Sequence, residues 1–226
     1  VSPQVGWRVV ARVWFTRRPR SRISPTSATD TGRPFGLDVA GTTVRGRVSG
    51  VSGAPTVLLV HGWGGHSGHF RALVDPLVAA GFRVVGFDGP SHGASDPGRY
   101  GPRQSSAVEL AEALLAIGDL FGPIDAVVAH SLGALSSGYA VQRGLEVRRL
   151  ALVAPMVDAP SYTAPFVTAL GAGPRIRRQM VAAIETRIGR RLADFDLTLL
   201  PLSMLPPTLL VHDEVDPETR YEDTAE

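Results

Sequence analysis

The residues best placed to do chemistry are a serine and the small residues around it, in Asp125-Ala-Val-Val-Ala129-His130-Ser131-Leu132-Gly133. A serine hydroxyl is a weak nucleophile and acts only when the fold pushes it toward a base and an electrophile. A sharp turn from a buried strand into a helix does this, if the residues two before and two after the serine are small. Ala129 and Gly133 meet that condition, with alanine standing where glycine is usual. The helix that follows would offer N–H groups to a developing oxyanion. The plainer alternative is that Ser131 only caps that helix.

A second segment, His61-Gly62-Trp63-Gly64-Gly65, follows directly on the aliphatic run Thr56–Val60. An oxyanion needs two N–H donors, one from the residue after the nucleophile and one from a loop beside it. The N–H groups of Leu132 and Trp63 are the expected pair. A phosphate-binding loop would end in Gly-Lys-Ser/Thr, which this segment does not.

Such groups must be held by a scaffold, and the rest of the chain describes one. Aliphatic and β-branched runs at 56–60, 82–87, 125–129, 150–153 and 208–212 read as strands buried on both faces of a parallel sheet. Helical spacing separates them at 70–80, 105–121 and 131–142. In 105–121 the apolar side is formed by Val108, Leu110, Leu114, Leu115, Ile117 and Leu120. Alternating strands and helices predict an α/β fold, a mainly parallel twisted sheet flanked by helices. Residues 37–48 alternate in polarity around Gly41-Thr42 and predict an antiparallel hairpin. Residues 156–206 break the rhythm and predict a small helical cap, with helices near 164–170 and 176–191. Residues 1–36 read as a short helix lying on the body of the domain, followed from 16 to 36 by an Arg/Pro/Ser-rich connector. The core is then 37–155 with 207–226.

Composition narrows the chemistry. The 226 residues are 44% hydrophobic and 19% charged, with a net charge of +2 carried by arginine alone on the basic side. Lysine and asparagine are absent, which reads as coding bias in a GC-rich bacterium. Without cysteine, disulfides, thiolate metal sites and a cysteine nucleophile are excluded. No apolar run approaches the roughly 18 residues of a membrane span. The N-terminus mixes Trp7, Val9, Val10, Val13, Trp14 and Phe15 with Arg8, Arg12, Arg17, Arg18 and Arg20, unlike a signal peptide. A cytoplasmic location is therefore expected, with weak membrane-surface contact by this helix as the alternative. No cluster has metal-ligand spacing, so neither metal nor cofactor is expected. The Arg-rich stretches 143–149 and 175–191 read as solvated helix faces rather than a nucleic-acid surface.

Four segments taken together resemble the α/β-hydrolase superfamily: His61–Gly65, then Gly86-Phe-Asp88-Gly-Pro-Ser-His92-Gly-Ala-Ser95, then Ala129–Gly133, then Leu210-Val-His212-Asp-Glu-Val-Asp216. The resemblance covers about residues 37–226 and is nearest to bacterial esterases and lipase-like enzymes with a short helical cap. It implies that Asp216 is the catalytic acid, with Asp158 the alternative position some relatives use. A carboxylate at a strand's end can hold an imidazole in the tautomer that accepts the serine proton. Asp88 is implied to organise its loop. Trp63, Met156, Tyr162, Phe166 and Leu170 are expected either to line an acyl pocket or simply to pack.

The base is the open question. In this fold the order is serine, acid, histidine, yet no histidine follows Asp216 before Glu226. His61, His92 and His130 fall in the motifs just named, His212 ends a strand, and His66 and His69 follow the oxyanion loop. The histidine is therefore expected beyond residue 226, with the last strand and helix of the fold missing from this chain. The expectation is a serine hydrolase that acts on a small-molecule ester or related acyl substrate through an acyl-enzyme. By itself this chain would have little activity, and its uncovered sheet edge would make it poorly soluble. The alternative is a non-catalytic small-ligand binding protein of the same fold, or an inactive fragment.

Overall fold

The computed structural model describes residues 3–17 and 32–225. Most of the connector expected at 16–36 lies outside the described residues. Among the described residues seven strands form one sheet: β1 (Arg33–Val39), β2 (Thr42–Ser49), β3 (Thr56–Val60), β4 (Arg83–Asp88), β5 (Ile124–His130), β6 (Leu150–Val153) and β7 (Thr208–Val211). Their order is β1-β2-β4-β3-β5-β6-β7. The β1–β2 and β2–β4 pairs are antiparallel and every other pair is parallel. The expected hairpin is present, turning at Ala40 and Gly41, both with positive φ (51° and 81°), the geometry that follows the twist of the strands. Its first strand begins at Arg33, inside the stretch read as connector, because Arg33 to Val39 pair along β2 residue by residue.

Strand β3 shows why a continuous apolar run was needed. Leu58 and Val60 join the main core, while Val57 and Leu59 pack with Phe70 and Val84 on the opposite face. Helix α2 (Arg71–Ala79) covers that second face through Val74, Leu77 and Val78. Helices α3 (Ala107–Phe121) and α4 (Leu132–Gln142) contribute to the main core. The buried line of α3 runs Leu110, Leu114, Ile117, Phe121. Leu120, expected on it, is 53% exposed, since Phe121 occupies the next i+4 place and Leu120 falls to one side.

Residues 156–206 hold α5 (Ala159–Ala169), α6 (Pro174–Ile188) and three short 3₁₀ turns. Helix α5 is longer at its N-terminus than expected because Asp158 caps it, accepting from Ser161 N at 3.2 Å. Helix α1 (Pro3–Trp14) rests on this segment: Gly6 lies against Ile176, and Trp14 meets Phe166 edge-on at 5.0 Å. The helix expected on the body of the domain thus clamps the insertion as well. The other departure is β7, expected to be buried. Leu209, Leu210 and Val211 are all at least 47% exposed, because β7 is the last strand and the described helices leave it uncovered. A final helix, α7 (Glu222–Ala225), ends the described chain. No helix among the described residues is long and apolar enough to cross a membrane.

Candidate active site

Ser131 stands between β5 and α4 with φ 51° and ψ −122°, a conformation that costs an L-residue on the order of 1–3 kcal/mol. Its backbone is fixed on both sides. The Ser131 N–H donates to Val153 O at 3.1 Å, and its carbonyl accepts from Ala134 N and Met156 N at 2.9 and 3.2 Å. Its hydroxyl makes no capping hydrogen bond to α4, so the plainer alternative lacks its contact. The small neighbours have steric reasons. Ala129 is fully buried in register between Val60 and Leu152. A Cβ on Gly133 would lie 2.5 Å from the Val60 carbonyl oxygen.

The loop after β3 packs directly on this turn. Gly65 N donates to Gly62 O at 3.0 Å, which places Trp63 at the corner of a tight turn. A Cβ on Gly62 would come within 2.9 Å of Ser131 Cβ. Leu132 opens α4, where N–H groups have no carbonyl partner within the helix. The two expected donors, on Trp63 and Leu132, thus sit on touching backbone segments.

Two histidines lock this region in place. His61 Nδ1–H donates to Gly62 O at 2.8 Å, and its Nε2 accepts from Gly89 N at 2.9 Å. His92 repeats the pattern, donating to Pro90 O at 2.9 Å and accepting from Gly64 N at 3.1 Å. Burial, the largest cause in each case, pushes their pKa values down to about 4 and about 3. Both rings are neutral and spent on backbone partners, so neither is equipped to take a serine proton. Asp88 does the same work with a carboxylate, accepting from Ser67 N and Ala94 N at 2.7 Å each.

Asp216 lies beyond β7, and its Oδ1 accepts from Glu218 N at 2.7 Å and Thr219 N at 2.9 Å. The Thr219 bond leads the causes that hold its carboxyl below the usual range, so it is an anion at neutral pH. Its Oδ2 is 4.0 Å from His212 Nε2. His212 is itself engaged, with Thr224 Oγ1 at 2.7 Å and the Thr219 carbonyl at 3.1 Å. The alternative acid, Asp158, is the cap of α5; burial raises its pKa, and its Oδ1 is buried without a hydrogen-bond partner. Tyr162 of α5 has its phenol raised to about 12, by burial first and then by Asp223. It therefore faces the loop that carries Asp216. Phe166, by contrast, packs against Trp14, and Leu170 is 46% exposed.

Register explains how these segments meet. Val60, Ala129 and Leu152 share one level of the sheet, as do His130, Val153 and Val211 one step on. The loops after β3, β5, β6 and β7 therefore leave the same edge side by side, with β5 and β7 roughly 10 Å apart. The sequence reading missed Thr219, whose N–H and hydroxyl tie Asp216 to His212. Its signal was Asp216-Pro-Glu-Thr219, a carboxylate followed by N–H groups two and three residues on. Among the described residues no group of His, Asp and Glu could hold a metal ion.

Comparison with known proteins agrees with this fold. The model of the alpha/beta hydrolase family matches residues 57–225. The chain is 36% identical over 155 residues to the dihydrolipoyllysine-residue acetyltransferase component of the acetoin cleaving system of Cupriavidus necator, covering 66% of this chain and 38% of that protein. It is 38% identical over 124 residues to 2-hydroxy-6-oxononadienedioate/2-hydroxy-6-oxononatrienedioate hydrolase 1 of Dechloromonas aromatica, covering 52% of this chain and 42% of that one. The chain thus spans about four-tenths of the length of these relatives. Among solved structures, Est1E from Butyrivibrio proteoclasticus with bound ferulic acid superposes with a TM-score of 0.63 at 21% identity, over 84% of this chain and 83% of that one. At that identity the likeness concerns the fold alone. A family match that runs from β3 through the serine turn to the loop of Asp216, on a sheet of this strand order, means that the chain belongs to the alpha/beta hydrolase family.

Proposed function

We propose that the protein is a serine hydrolase that acts on an ester or related small acyl compound. The observation that carries this reading is Ser131: an L-residue held at φ 51°, at the end of a buried strand, with a hydroxyl that does not cap the helix it precedes. Strain of this kind persists only where the surroundings enforce it, and it is found where a side chain must be presented. Ser131 Oγ attacks the substrate carbonyl, and the N–H groups of Leu132 and Trp63 receive the negative charge that develops on its oxygen. The acyl-enzyme formed is then released by water. The carboxylate of Asp216 orients the imidazole that takes the serine proton and returns it to the leaving group. We assign that imidazole to a residue following the acid loop, in the order usual for this fold. His61 and His92 support this by being neutral and fully engaged elsewhere.

The test is hydrolysis of p-nitrophenyl butyrate by the protein together with its downstream coding sequence. Ser131→Ala should lower turnover by a factor on the order of 10⁶, with the thermal melt unchanged. Unaltered turnover in that variant would overturn the assignment. Saturable ester binding with no turnover in the wild type would favour the ligand-holding alternative. Residues 1–226 by themselves should retain only the residual rate of a site without its base, about 10³–10⁴ over water. Strong labelling of them by a fluorophosphonate would instead place the base among their six histidines.

A further inference from the structure

The cleft between α1 and α6 is unrelated to the serine site, since none of its lining residues belongs to the loops around Ser131, Trp63 or Asp216. We propose that it binds a small organic anion with a flat apolar body, in the simplest case an aromatic carboxylate. Its volume is about 400 Å³, within the range of small-molecule sites. Its apolar lining is Trp7 and Ala183 with the buried Ala11 and Phe15. Arg8, Arg12 and Arg187 stand around the mouth with Gln104, and the lining contains no acidic residue.

The state of these arginines points to the ligand. Among the described residues, none of the three has a carboxylate within ion-pair distance. Two of them lie over rings instead. The Arg187 guanidinium lies over Phe15 at 4.6 Å and over Tyr100 at 4.7 Å, and that of Arg8 over Trp7 at 5.3 Å. A stacked guanidinium uses its face and keeps N–H groups in its plane for a carboxylate. Gln104 adds to this orientation: its amide nitrogen donates to Arg12 O and Thr16 Oγ1, and its amide oxygen accepts from Arg187 Nη2 at 2.6 Å. The neighbouring Arg17, next to Arg103, adds positive potential at the same end. An anion supplies the charge this cleft lacks. The indole of Trp7, beside Ala183, favours a flat apolar body behind that charge, which inorganic phosphate does not have. Because α6 belongs to the helical insertion, an occupant would also tie α1 to that segment.

Titration calorimetry with 2-naphthoate tests the assignment. We expect one saturable site with Kd on the order of 0.1–1 mM, and quenching of tryptophan fluorescence that is lost in Trp7→Phe. Arg12→Gln and Arg187→Gln should each weaken binding at least about tenfold, as a charge-assisted bond implies. Arg178→Gln, on an exposed part of α6, should leave it unchanged. The neutral 2-naphthalenemethanol and inorganic phosphate should each bind at least about tenfold more weakly than the acid. Far-UV circular dichroism melts would establish that the variants fold. Naphthoate binding that survives in the folded Arg12→Gln/Arg187→Gln double variant overturns the proposal. Equal affinity for the neutral analogue, or no heat of binding up to roughly 10 mM, does the same.

Discussion

Gly133 shows how narrowly the serine turn is built. Its missing side chain is what lets the start of α4 pass the end of β3, since a Cβ there would meet the Val60 and His61 carbonyl oxygens at 2.5 and 2.7 Å. Both are backbone atoms in the middle of the sheet and cannot swing aside. Gly133→Ala should therefore destabilise the protein by about 1–3 kcal/mol, the usual cost of overpacking, and, with the downstream coding sequence present, remove fluorophosphonate labelling of Ser131. Equilibrium urea unfolding measures the first effect, and a wild-type midpoint would contradict the close approach. The sequence made Gly133 legible because its spacing from Ser131 is short and local. The capping of Asp216 by Glu218 and Thr219 was also local, yet went unread, because Asp-x-x-Thr is too common a pattern to stand out.

At the level of elements, β7 departs most from expectation. An aliphatic run signals that a strand exists, but its burial depends on what covers it. Thr208-Leu-Leu-Val211 pairs with β6 on one side only, and its apolar side chains face solvent. A flat, apolar edge strand is a template for further strands. We therefore expect residues 1–226 to self-associate through β7. Leu210→Lys should reduce light scattering at a given concentration without lowering the melting temperature, as Leu210 is 47% exposed. Unchanged scattering would place the sticky surface elsewhere. Helix α1 teaches the reverse lesson. Its mixture of aromatics and arginines left its partner undetermined from sequence, and the structure gives it α6 and Phe166 as partners, with Val10, Ala11 and Phe15 joining the main core.

For the whole molecule, the two buried histidines predict how stability depends on pH. Both are neutral in the fold, with pKa values of about 4 and about 3 against 6.5 in an unconstrained chain. Below pH 6.5 the unfolded state takes up protons that the folded state refuses. Their contribution is thus complete above that pH and is lost as the pH falls toward 4 and then 3. The slope reaches about 1.4 kcal/mol per pH unit for each histidine. Glu109 works in the opposite sense, because burial holds its carboxyl above 4.5 and favours the fold at lower pH. Asp158 is raised by burial in the same sense, whereas Asp216 and Asp96 are held low and oppose it, so the two histidines leave a net loss. The urea midpoint should fall steadily from pH 6.5 to 4.5, and more gently in His92→Gln. A flat midpoint over that interval would show that the two rings are not held neutral.

The sequence by itself determined the strand–helix alternation, the turn at Ser131, the glycine-rich loop after β3 and the position of Asp216 after the last aliphatic run. All of these rest on residues near one another in the chain, where steric demand and hydrophobic period leave a local trace. Only the tertiary structure decided that Leu120 and β7 face solvent, that α1 clamps the helical insertion, and that His61 and His92 are spent on the loops of Gly62, Gly64, Gly89 and Pro90. It also gathered Arg8, Arg12, Arg187 and Gln104 around one cleft. These depend on contacts between segments remote in sequence, whose pairing follows from how the layers pack and leaves no local pattern to read. Ser131 belongs to both: its spacing marked it as a candidate nucleophile, and its backbone conformation, with a hydroxyl that does not cap α4, came from the packing of β3, β5 and α4 around it.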